Sequence, residues 1–122
     1  MTSLNLKAAL VALVVLAGHP QLQVYFQTNL TDARYQKQAF DKVAKTFVVP
    51  KASPPAGSLA VVRAVIGLDG KLLSATLGTA SGSAAWDNAA LAAVKRAAPF
   101  PPLPKDLGAP SAEAHFHFTW GP

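Results

Sequence analysis

A chain of 122 residues, 51% of them apolar, fits one domain with one packed core. It has no cysteine, which excludes a disulfide framework and a thiolate metal site. The net charge of +5 is basic, but the cations are scattered, so the charged stripe with interleaved aromatics that nucleic-acid binders carry is missing. Arg34, Lys37, Lys42 and Lys45 read instead as the solvated face of one helix.

Lys7 precedes an apolar run from Ala8 to Ala17 that breaks at Gly18-His19-Pro20. So short a run, behind one positive charge and ahead of helix breakers, suits a signal-peptide core better than a membrane span of about 20 residues. Val15-Leu16-Ala17 supplies a weak small-residue cleavage pattern, and cleavage is expected between Ala17 and Gln23. An uncleaved anchor is the second reading and a buried helix the third. The expected division is therefore a signal peptide or short anchor over 1–22, a short linker over 23–31 and a folded domain over 32–122.

Thr31-Asp32 offers an N-cap, and Phe40, Val43, Ala44 and Phe47 repeat at helical spacing, which predicts a helix from Asp32 to Thr46. Lys51 to Gly57 is punctuated by proline and glycine and reads as a loop. A strand follows to Gly67, with Val62, Ala64 and Ile66 on one side and Val61, Arg63 and Val65 on the other. Asp69-Gly70 then signals a hairpin turn into a strand from Lys71 to about Thr79, with Leu73, Ala75 and Leu77 sharing a face. Ser81-Gly82-Ser83 closes it and caps a second helix, Ala84 to about Ala98, whose stripe is Trp86, Ala90, Val94 and Ala97. The prolines from Pro99 to Pro104 demand extended backbone. The last strand, Ala112 to Trp120, points Ala114, Phe116, Phe118 and Trp120 inward and Glu113, His115, His117 and Thr119 outward.

The order helix, strand, strand, helix, strand implies an α+β fold: a three-stranded antiparallel sheet with two helices on one face. With the first strand central, the last strand is an edge. Glu113 is its one formal charge, so it is weakly guarded and suited to receive another strand. The alternative is that the segment before Asp32, or a second copy of the chain, covers it.

The Asp69-Gly70 turn, Ala80-Ser81-Gly82, the run from Asp87 to Leu91 with Val94, and Pro99-Phe100-Pro101 stand in an order and spacing that resembles the TonB C-terminal domain family, TolA included. The resemblance spans Tyr35 to Trp120. It implies a domain of the Gram-negative envelope that binds a partner peptide and does no chemistry. In that family the last strand pairs with a short periplasmic segment of an outer-membrane transporter. The matching positions are Glu113 through Thr119, with His115, Phe116, His117 and Thr119 and with Arg63 alongside. It also implies a periplasmic setting and energy-dependent transport, or a TolA-like adaptor role in envelope integrity. The residues from Pro20 to Asn29 reach at most about 35 Å, short of a periplasm, so a separate inner-membrane-anchored partner is implied for transduction.

His115 and His117 raise a rival, a small metal- or ligand-binding protein. Their Cα atoms lie about 6.5–7 Å apart on one strand face, close enough to share a metal. A third ligand is needed, and the only other histidine is His19, within the expected signal segment. No cofactor is called for, and homodimerisation stays open. Trp86 and Trp120 read as core, and the partner of Arg63 is either Glu113 or a ligand carboxylate. Catalysis is disfavoured: Ser81-Gly82-Ser83 lacks a nucleophile-elbow pattern, no spacing makes a triad, and no glycine-rich phosphate loop is present.

Overall fold

Period-two alternation decides which side each strand buries, and in this chain it runs through one strand more than the hairpin and C-terminal signals announce. The computed structural model describes residues 6–9, 20–27 and 29–121. The expected signal-peptide core, with Val15-Leu16-Ala17 and His19, lies for the most part outside the described residues.

The elements are β1 (Leu6–Ala9), β2 (Pro20–Gln27), α1 (Ala33–Thr46), β3 (Leu59–Gly67), β4 (Leu72–Thr79), α2 (Ala84–Ala97), a 3₁₀ turn at Lys105–Leu107 and β5 (Ser111–Trp120). They form one antiparallel sheet in the order β1-β2-β5-β3-β4. The α+β class and the two helices are as expected, but the sheet is wider than three strands. Four long strands make its body, and the four-residue β1 extends it on the β2 side.

Strand β2 takes the end of the segment expected to be a signal or anchor, Pro20 to Leu22, and the start of the expected linker, Gln23 to Gln27. It reads Pro-Gln-Leu-Gln-Val-Tyr-Phe-Gln, and Leu22, Val24 and Phe26 are all at most 2% exposed. They join Ala60, Val62, Ala64 and Ile66 of β3 and Ala112, Ala114, Phe116 and Phe118 of β5 on the face that the helices cover. Helix α1 starts at Asp32, whose side chain accepts from the Tyr35 amide at 3.0 Å, and brings Tyr35, Ala39, Phe40 and Val43 down onto the sheet. Helix α2 starts at Ser83, whose hydroxyl accepts from the Trp86 amide. Its Lys95 and Arg96 stand in the last turn, where cations complement the helix dipole. Trp86 is fully buried among Phe47 and Trp120, and its indole N–H donates to the Phe118 carbonyl at 3.0 Å, so α2 is bonded as well as packed to β5.

Irregularity at the opposite edge departs from the expected pattern. The β3–β4 register shifts between Val61 and Val62 and again between Val65 and Ile66, the mark of bulges, and Leu73 and Leu77 end 60% and 37% exposed. The proline segment closes this end. Phe100 N–H donates to Gly70 O and Leu103 N–H to Leu68 O, which ties the extended chain to the hairpin tip. Gly70 has φ +91°, and a Cβ there would fall 1.9 Å from the Phe100 carbonyl oxygen, so only glycine fits.

Candidate functional site

Strand β5 is not an edge. Its backbone pairs with β3 from Ser111 to Thr119 and with β2 from Ala114 to Trp120, so the row of peptide groups proposed to receive a partner is taken on both sides. Strand β2 is no loose cover. Burying Leu22, Val24 and Phe26 is worth about 1.5–3 kcal/mol each, a sum comparable with the whole stability of a small domain. Of the two occupants expected for this edge if it is not free, the segment before Asp32 is the one found.

The side chains expected to face outward do so. Glu113, His115, His117 and Thr119 lie with Arg63 on the sheet face that no helix covers, whereas Phe116 is fully buried and has no route to a partner. Pairing across the sheet sets the cluster: His115 stands between Tyr25 and Arg63, and His117 between Gln23 and Val61.

Arg63 meets Glu113 in a two-pronged ion pair, Nε to Oε2 at 2.9 Å and Nη2 to Oε1 at 3.0 Å. That answers which carboxylate partners Arg63. His115 Nε2 stands 2.6 Å from Glu113 Oε2. The hydrogen bonds from Arg63 and then from His115 hold the Glu113 carboxyl down at about 2. The guanidinium of Arg63 is shifted up in turn by Glu113. The Glu113 amide donates to Gln27 Oε1 at 2.8 Å, where a ladder bond to β2 would otherwise continue.

His117 packs its ring 4.6 Å from that of Tyr25, whose hydroxyl donates to Gln23 Oε1 at 3.1 Å. Burial first, and the neighbouring His115 second, push the His117 imidazole below its ordinary range. The two histidines are thus committed to different neighbours, His115 to a carboxylate and His117 to an aromatic ring. Among the described residues no group of three or more metal-ligating side chains is placed to hold an ion.

Tyr25, Gln23 and Gln27 complete this face and were not expected to. Their signal was the strict alternation from Gln21 to Gln27, which is as clean as that of the last strand. A separate hollow of about 210 Å³ lies between Asn29, Asp32, Pro104 and Asp106 at the far end of β5. Among the described residues no helix is long and apolar enough to cross a membrane.

Compared with known proteins, residues 32–118 match a family described as TonB C terminal. No curated protein and no solved structure matches the chain.

Proposed function

The chain belongs to the TonB C-terminal family, a family of non-enzymatic energy-transducer and interaction domains of the cell envelope, and from that membership we propose that it binds an extended segment of an outer-membrane transporter or another envelope protein in the service of energy-dependent transport across the outer membrane. The observation that carries this reading is a family domain whose sheet has one face free of helices and whose outer long strands, β2 and β4, carry no charged side chains. Backbone pairing at a sheet edge supplies affinity in such a complex, and the side chains beside it supply selection.

Arg63, Glu113, His115, His117 and Thr119 act here through their side chains on the uncovered face, not through the β5 backbone. The Arg63–Glu113 pair is half exposed, so an incoming carboxylate or guanidinium can compete for one of its members at little cost. Metal binding finds no support in the commitments of His115 and His117.

Affinity capture on the immobilised full chain from solubilised outer membranes tests this. Recovery of transporters that are released by their own periplasmic peptide is the expected result. Recovery of non-transporter envelope proteins alone would replace transport by an adaptor role in envelope integrity, and recovery of neither would overturn the reading.

A further inference from the structure

With β5 enclosed, the four long strands of the sheet are bounded by β4 on one side and β2 on the other, and the outer sides of these two differ. Strand β4 is broken by two register shifts within eight residues, which twists its free side and blunts it against strand addition. Strand β2 is regular against β5 over seven consecutive pairs, from Pro20–Trp120 to Phe26–Ala114. It carries no formal charge on either face, only Pro20, three glutamines, a tyrosine and the three buried apolar residues. Its outer side is met by β1 alone, over Val24 to Gln27, and Pro20 to Gln23 have no strand beyond them among the described residues.

The occupant is informative. Strand β1 is the tetrapeptide Leu6-Lys7-Ala8-Ala9, it runs antiparallel to β2, and it comes from the segment that the sequence reads as a removable export signal. A regular, uncharged strand whose outer side is closed by four residues of such a segment becomes a free edge when that segment leaves.

We propose that the outer edge of β2 is the strand-receiving edge of this domain, and that Leu6–Ala9 occupies it as a built-in stand-in for an extended, predominantly apolar peptide of a partner protein. The inference rests on the partner-binding reading above and gives that binding its place: the peptide lies antiparallel beside Val24 to Gln27, separated from β3 by β2 and β5, with half-buried Tyr25 and Gln27 beside it on the uncovered face. Its affinity comes from main-chain hydrogen bonds. The tethered stand-in competes with it until removed, because a segment held in the same chain acts at a millimolar effective concentration.

The test uses the full chain and a synthetic peptide of residues 4–11 as the probe. Ala8→Pro removes an amide donor from β1 and leaves the sequence of β2 unchanged. The variant is expected to bind the peptide about tenfold or more tighter than the wild type, with amide shifts on Val24 to Gln27. Hydrogen exchange on the wild-type chain gives a second readout independent of the variant's folding: the outward amides of β2 should be protected between Val24 and Gln27 and exchange fast between Gln21 and Gln23. Equal binding by the two chains, shifts on β4 or β5 instead, or no gradient of protection along β2 would overturn the proposal. A transporter's periplasmic peptide run in parallel separates the two levels. If it binds at another edge, the partner reading stands and this edge falls; if only the chain's own peptide adds to β2, the edge stands and the transporter reading falls.

Discussion

Phe26→Ala decides whether the residues ahead of the first helix belong to the fold. Phe26 is fully buried, pairs across the strands with Ala114 and sets its ring 6.2 Å from that of Tyr35 in an edge-to-face contact. Truncation removes the transfer free energy of a buried aromatic, leaves a cavity under α1 and breaks the aromatic contact, for a cost of about 3–5 kcal/mol. With a urea m-value of about 1.5–2 kcal/mol/M, the unfolding midpoint should fall by about 2 M. Gln21→Ala, one strand position class away on the uncovered face, should shift stability by less than about 0.5 kcal/mol. Equilibrium urea melts followed by far-UV circular dichroism measure both. A Phe26→Ala midpoint indistinguishable from wild type would mean that β2 is not packed, that the β5 edge is free, and that the three-stranded sheet is the correct one.

Gly70→Ala should destabilise by more than the roughly 1–2 kcal/mol of left-handed strain alone, because the new Cβ strikes the Phe100 carbonyl; thermal melts check this. Trp86→Phe leaves the buried Phe118 carbonyl without its indole donor and should cost about 1–3 kcal/mol in a urea melt. Glu113 has its carboxyl depressed from 4.5 to about 2, so its pairing stabilises the fold fully above the unfolded value and is lost as pH falls through that window. Urea melts over this range should show a smaller acid-side loss in Glu113→Gln, by no more than about 1 kcal/mol given the exposure of the pair. His117, also shifted down, is held neutral in the fold, so acidification below its ordinary value of 6.5 should cost the wild type stability that His117→Gln does not lose.

Both helices could be read from the sequence to within a residue, because Asp32 and Ser83 are strong caps and the apolar stripes follow at helical spacing. The Asp69-Gly70 hairpin and the facing of β5 were equally plain, since turn chemistry and period-two alternation are local signals. Strand β2 carried the same alternation, but it begins at the helix breakers Gly18-His19-Pro20 that follow the apolar run, and the processing signal there argues for the end of a signal segment and a linker. Its membership is fixed by non-local burial against β5, which no local pattern reports. The failure at β5 followed from it: an edge is defined by what does not pair with it, and that depends on the whole chain. In β4 the alternation holds for Ala75 and Leu77, which pair with buried Ala64 and Val62, but it misleads at Leu73, because the shift between Val65 and Ile66 sets Leu72 in its place opposite Ile66. The Arg63–Glu113–His115 cluster was half visible: the residues and their face followed from alternation, but the ion pair needed the cross-strand register.

In the proposed complex a partner peptide joins the sheet while β2 stays in place beside β5. Titration of the isotope-labelled full chain with the periplasmic peptide of an outer-membrane transporter, followed by amide shifts and by nuclear Overhauser contacts between β2 and β5, tests it most directly. Shifts along β2 and on Tyr25 are expected, with the contacts between Val24 and Phe116 and between Phe26 and Ala114 retained. Loss of those contacts, with the peptide's own signals appearing against Glu113 to Thr119, would contradict it.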